Sequence, residues 1–177
     1  MIRLFAGLRP SAATRSLLLG RMHGVAGARW QSDAQLHLTL AFIGEVSERT
    51  AEAVDAALST ISAPRLSYQV QGVGSFTRKD RPHSLWAGIV PATPVTALAT
   101  KVETACRKAG ADIQRRAFVP HITLARLNAA SGPVEDFLSA NNALSGPGEL
   151  ADAVILFESR LGREGSTYHE LARYPLF

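Results

Sequence analysis

Two short phrases in the chain repeat one chemical pattern. His37-Leu38-Thr39-Leu40 and His121-Ile122-Thr123-Leu124 each place a His and a Thr two residues apart, interleaved with large aliphatics. In a β-strand, residues i and i+2 share a face and their neighbours share the other. Each phrase therefore predicts a strand with its aliphatics in a core and His plus Thr on the opposite surface. Histidine titrates near neutral pH, so two imidazoles presented this way can act as general acid and general base. Opening a cyclic phosphate needs that pair. Water must lose a proton as it attacks phosphorus, and the leaving ribose oxygen must gain one. The Thr hydroxyls can donate to the non-bridging oxygens. A lone histidine on a strand is usually inert, and a single His-x-Thr string fixes only two positions. The weight comes from finding two copies at matched places.

The matching extends beyond the histidines. Leu4-Phe5-Ala6-Gly7-Leu8-Arg9-Pro10 recurs as Leu85-Trp86-Ala87-Gly88-Ile89-Val90-Pro91, and each heptapeptide precedes a His-x-Thr phrase at nearly the same distance. Two copies at so long a period indicate a duplicated lobe rather than a solenoid. Between the shared phrases, Ser11 can cap a helix whose apolar side includes Ala12, Leu17 and Leu18. Thr93 can cap a second helix with Pro94 in its first turn, ending at Gly110. Strands are expected at about 35–43 and 118–126, and helices at about 47–62, capped by Ser47, and 133–141. Further strands are expected at 66–73, 153–159 and 167–174. Residues 74–83, with Gly, Pro and three basic side chains, read as a loop. It is either a solvated turn or a wall that meets phosphate. The order β-α-β-α-β, twice, predicts an α+β fold. Residues 1–177 form one domain with two internal lobes, copies at roughly 1–73 and 84–160.

Bulk properties narrow the function. With 177 residues, 46% of them hydrophobic, the chain can bury a full core. A net charge of +4 leans mildly toward an anionic ligand. The single cysteine, Cys106, excludes an internal disulfide framework and a polythiolate zinc site. It reads as a core residue and fits a reducing cytoplasm. No apolar run reaches the length of a membrane span. Five arginines and no acid before Asp33 give the first 32 residues the look of a transit peptide. The recurrence of residues 4–10 inside the chain argues instead that this segment belongs to the fold. A metal site is the rival chemistry for the two histidines. Asp33, Glu45 and Asp112 lie outside both motifs, so no ligand cluster with suitable spacing exists, and neither metal nor cofactor is expected.

The two His-x-Thr-Leu strands resemble the signature of the two-histidine phosphoesterase superfamily, in its RNA 2′,3′-cyclic phosphodiesterase (2′-5′ RNA ligase-like) branch. The resemblance covers nearly the whole chain. It includes Arg3-Leu4-Phe5-Ala6-Gly7, residues 36–46, Leu85-Trp86-Ala87-Gly88, residues 118–126, Tyr168 and Tyr174-Pro175-Leu176. It implies a bilobal fold with pseudo-twofold symmetry, antiparallel sheets lining a central groove and helices outside. It also implies metal-independent hydrolysis of RNA or nucleotide cyclic phosphates to 2′-phosphomonoesters, with reversible 2′-5′ ligation as a second capacity. By position His37 is the proton donor, His121 the proton acceptor, and Thr39 and Thr123 bind phosphate. The two roles rest on the resemblance alone, because the near-symmetric motifs do not assign them. The chain departs from the family before the first motif and before the Leu85-Trp86-Ala87-Gly88 strand. Ser32-Asp33-Ala34-Gln35 stands where Pro-Glu-Asn is frequent, and His83-Ser84 where an Arg is frequent. Arg126 is then the first candidate for contacting substrate and Arg81 the second. Phe42 and Phe76 could stack on a base, although the apolar run Ala41-Phe42-Ile43 points Phe42 first to the core. His23 and His169 read as ordinary surface or packing residues. The expected partners are RNA 3′ ends or small cyclic nucleotides, for a monomer with no membrane association. Two alternatives remain open: an RNA-end-binding module whose catalysis is incidental, and a phosphodiesterase for another small cyclic phosphate.

Overall fold

The computed structural model describes residues 1–177. Nine strands form one antiparallel sheet system with the helices outside it. The strands are β1 (Ile2–Leu8), β2 (Arg29–Trp30), β3 (Leu38–Val46), β4 (Leu66–Arg78), β5 (Arg81–Val90), β6 (His121–Arg126), β7 (Glu149–Ala151), β8 (Ala153–Gly162) and β9 (Gly165–Pro175). The helices are α1 (Ala12–Leu19), α2 (Glu48–Ser59), α3 (Ala92–Lys108) and α4 (Glu135–Asn141). None is long and apolar enough to cross a membrane.

Strand order is β7-β4-β5-β6-β3-β1-β8-β9, with β2 added beside β6. The order is symmetric about the β3–β6 seam. The two His-x-Thr strands meet there through the single pair Leu38–Ile122. Outside them lie β1 and β5, which carry the repeated heptapeptides, then β8 and β4. The two sequence copies therefore do not coincide with the two halves of the sheet. β4 closes the first copy but is hydrogen-bonded to β5 of the second, while β8 of the second copy lies against β1 of the first. The tight turn at Lys79-Asp80 enforces this exchange. Both residues have positive φ, 51° and 58°, the requirement of a two-residue hairpin whose twist matches its strands. The segment 74–83, expected as a loop, is thus mostly the paired ends of β4 and β5.

Alternation puts Leu38, Leu40, Ile122 and Leu124 in the main core, each at most 1% exposed, with α3 packed against β3. β1, expected to belong to the fold, is an interior strand paired on both sides. Ser11 and Ser47 cap α1 and α2 as expected, accepting from Thr14 N and Thr50 N. The third cap is different: α3 begins at Ala92 after Pro91, with no side-chain cap, and ends just before Gly110 (φ 95°). In α1 it is Thr14 rather than Ala12 that is buried. Its hydroxyl donates to the Glu149 carboxylate, which also accepts from Ser11 N (3.0 Å) and Ser11 Oγ (2.6 Å). A buried carboxylate at a helix N-terminus is favoured by the free N–H groups and the dipole. Cys106 is fully buried, and burial pushes its thiol up to about 12.

Candidate active site

The antiparallel register of Leu38 with Ile122 fixes the geometry of both motifs. It sets His37 opposite Thr123 and Thr39 opposite His121, all on the face away from the core. Facing residues in such a pair have Cβ atoms about 5 Å apart and diagonal ones about 7–8 Å. The histidines occupy one diagonal and the threonines the other. A phosphate over the crossing point is within reach of all four. His37 lies between a short 3₁₀ turn over Asp33–Gln35 and the start of β3 at Leu38, instead of inside the strand expected from residue 35. The turn is tied down by Arg15 to Asp33 (2.8 Å), by the Gln35 side chain to Ser32 N (2.9 Å) and by Gln35 Nε2 to Ser166 O (2.7 Å). Gly7 lets β1 pass close beneath: a Cβ there would lie 2.6 Å from Leu38 O.

Both rings are held in one tautomer. His37 Nδ1–H donates to Gln35 O (2.7 Å), and His121 Nδ1–H donates to Val119 O (2.6 Å). A carbonyl only accepts, so the proton sits on Nδ1 in the neutral ring and Nε2 is left for chemistry. The Thr39 hydroxyl donates to His37 Nε2 at 2.8 Å. The surroundings follow the duplicated plan. Phe5 packs against His37 (centroids 4.6 Å), with Phe157 stacked on Phe5 and Tyr168 edge-on to the imidazole at 5.2 Å. At the equivalent place Trp86 lies 6.1 Å from His121, with Phe76 edge-on at 4.9 Å. Gly74, opposite Trp86 in the register, leaves room for the indole where Phe157 stands opposite Phe5.

This burial governs proton affinity. Loss of water is the largest influence on His37 and lowers it to about 4, with His121, Arg126 and Arg9 adding in the same direction. His121 is also lowered, by burial first and by Arg126. In each case the backbone carbonyl on Nδ1 works the other way. Both rings are therefore neutral at pH 7 in the empty groove. A phosphate anion beside them opposes the burial effect and returns proton affinity to the site.

Two depressions meet at this centre. A cleft of about 570 Å³ with mixed walls lies on the His121 side, lined by Phe42, Ile43, Phe76, Ile113, Phe118 and Val119 together with Glu103, Asp112 and Arg116. A polar trough of about 380 Å³ runs past His37, Thr123 and Tyr168 and holds Arg3, Arg29 and Arg126. Thr39 and Phe42 line both. Phe42 is 52% exposed, contrary to the expected core burial. The reason is an extra residue in β3. Gly7 pairs with Thr39 but Ala6 pairs with Ala41, so a bulge shifts the alternation by one and turns Phe42 into the groove. The sequence candidates thus separate. His37, His121, Thr39, Thr123, Arg126, Phe42 and Phe76 converge. Arg81 stands at the hairpin tip and lines a different, shallow depression with Arg78 and Lys79. His23 and His169 are exposed, as expected. Arg3, Arg29, Gln31 and the Tyr168 side chain were not legible as site residues; only the Arg-rich N-terminus hinted at two of them. No three His, Cys, Asp or Glu side chains group to hold a metal ion.

A curved antiparallel sheet is duplicated about a seam that presents two Nδ1-anchored imidazoles, the arrangement expected of the two-histidine phosphoesterase class. The sequence profile of LigT-like phosphoesterases matches residues 10–86 and 89–168, and the chain belongs to that family. An Archaeoglobus fulgidus protein named RNA 2′,3′-cyclic phosphodiesterase is 28% identical over 155 residues, covering 87% of each chain. An Aeropyrum pernix protein of the same name is 36% identical over 99 residues, covering 55% of this chain and 56% of that one. This second match, like others among the curated relatives, spans only about half of the relative's length. Escherichia coli LigT, solved in apo form, superposes with a TM-score of 0.78 at 25% identity over 99% of this chain and 97% of that chain.

Proposed function

We propose that the chain hydrolyses 2′,3′-cyclic phosphates, on RNA 3′ ends or small nucleotides, to 2′-phosphomonoesters. The observation that carries this reading is the pair of matched imidazoles, each with Nδ1–H bound to a backbone carbonyl and Nε2 available to a shared groove. The names of the relatives support the substrate class. In the mechanism, the cyclic phosphate lies over the His37–His121 diagonal. His121 Nε2 takes a proton from water as the water oxygen bonds to phosphorus. The P–O3′ bond breaks, and O3′ takes the proton held on His37 Nε2. The Thr39 and Thr123 hydroxyls donate to the non-bridging oxygens, and Arg126 adds positive charge beside them. After turnover His121 carries the proton and His37 lacks it, so exchange with solvent resets the pair. With a 5′-hydroxyl end in place of water, the same groups in the same roles break P–O3′ and form a 2′-5′ linkage; in the reverse cleavage of that linkage the two roles exchange.

We extend the reading to a monomer in the cytoplasm, for which the unpaired, buried Cys106 is a fitting companion. The test is hydrolysis of an RNA ending in a cyclic phosphate. His37→Ala and His121→Ala should each lower kcat by about 10²–10⁴, the usual worth of one positioned proton transfer. Their circular dichroism should match the parent, and excess chelator should leave the parent's rate intact. Full activity in either variant, or loss of activity in chelator, refutes the mechanism.

A further inference from the structure

The trough beside His37 contains more positive charge than the cyclic phosphate needs. Arg29 and Arg126 are direct cross-strand partners in β2 and β6. Like charges placed opposite one another destabilise a sheet, and neither has an acidic partner: every ion pair in the chain involves other cations. Arg3 joins them from β1, its guanidinium 5.2 Å from the centre of the Phe42 ring and likewise without an ion pair. The three are brought to one place, since Arg126, Arg3 and Arg29 all favour ionisation of the same Tyr168 hydroxyl. Glu164 is the one carboxylate lining the trough. An excess of unpaired guanidinium groups in a concave, partly apolar trough is a phosphate-binding arrangement.

The position of the trough gives the substrate a direction. In a ribose 2′,3′-cyclic phosphate the base is carried on C1′, beside C2′, and the 5′ carbon on C4′, beside C3′. The cleft adjoins His121 and the arginine trough adjoins His37. Resting on the cyclic-phosphate reading above, we infer that Arg3 and Arg29, beside the Arg126 that serves the cyclic phosphate, form a second phosphate subsite that takes the 5′ phosphate of the terminal nucleotide, while its base enters the cleft of Phe42, Phe76 and Phe118. In that orientation O3′ faces His37 and O2′ lies toward His121. The donor role of His37 and a 2′-phosphate product then follow from the asymmetry of the groove, which the symmetric motifs alone did not provide.

Binding tests this independently of turnover. Calorimetry would compare adenosine 2′-monophosphate, adenosine 2′,5′-bisphosphate and a dinucleotide ending in a 2′-phosphate. The parent should bind the two ligands carrying a 5′ phosphate about tenfold or more tightly than the monophosphate, as expected of one charge-assisted contact. Arg29→Gln and Arg3→Gln should each shrink that ratio several-fold, and the double variant should bring it close to one. Arg49→Gln, an equal loss of charge on the exposed face of α2, should preserve it. A stronger preference for the bisphosphate points to mononucleotide ends, and for the dinucleotide to an RNA chain. Equal binding of all three ligands by the parent, or an undiminished ratio in the double variant, overturns the subsite. Absence of hydrolysis with the ratio intact would count against the catalytic reading and leave the subsite standing.

Discussion

Tyr168→Ala should raise the proton affinity of His37 and leave the imidazole in place. Phe5, Phe157 and Tyr168 wall the ring, and Tyr168 is the half-buried member, edge-on at 5.2 Å and 87°. Burial is the main cause of the value of about 4. Against 6.5 for a free imidazole, this amounts to about 3 kcal/mol opposing the charged form. If each aromatic wall excludes a similar share of water, removing one restores about 1 kcal/mol and moves the titration to roughly 5. NMR titration of the imidazole carbons reads this with no substrate present. The same shift has a stability consequence of definite sign. Between pH 6.5 and about 4 the unfolded chain binds a proton that folded His37 refuses. Stability is therefore full above pH 6.5 and falls as the pH drops toward 4, by at most about 3 kcal/mol from this residue. His121 adds in the same direction. Thermal unfolding across that range should show a falling Tm, more shallowly in Tyr168→Ala. A parent His37 titrating near 6.5, or a variant with no upward movement, refutes the burial argument.

Thr39→Val and Thr123→Val each remove one proposed phosphate donor, and the first also removes the hydroxyl on His37 Nε2. Each should lower kcat/KM by about tenfold to a hundredfold in steady-state assays, a smaller loss than for the histidines. Glu149→Ala leaves Ser11 and Thr14 without their shared acceptor at the start of α1 and should cost about 2–4 kcal/mol in denaturant unfolding. Hydrolysis by that variant below its unfolding range should stay near the parent rate, since Glu149 lies outside both the trough and the cleft.

The candidate centre was legible because strand period and residue chemistry coincide in it. Leu38 and Ile122 had to turn inward, which sends His37, Thr39, His121 and Thr123 outward together. The duplication was legible in Phe5 and Trp86, which the structure places under equivalent histidines. Three features needed tertiary information. The exchange of β4 and β8 between halves depends on a hairpin whose turn residues, Lys79 and Asp80, lack the Asn-Gly signal usual for positive φ. The exposure of Phe42 depends on a bulge that the apolar run Ala41-Phe42-Ile43 conceals. The trough depends on β2, two residues long and bonded to a strand far along the chain. Nothing local marks Arg29 as a neighbour of Arg126.

The central claim is that one imidazole delivers a proton to O3′ while the other activates water. Phosphorus NMR of the product tests it most directly, with an RNA ending in a 2′,3′-cyclic phosphate as substrate and ¹⁸O-labelled water as solvent. A single 2′-phosphomonoester carrying one solvent oxygen is expected. A 3′-phosphomonoester, or a 2′-phosphate without the label, contradicts it.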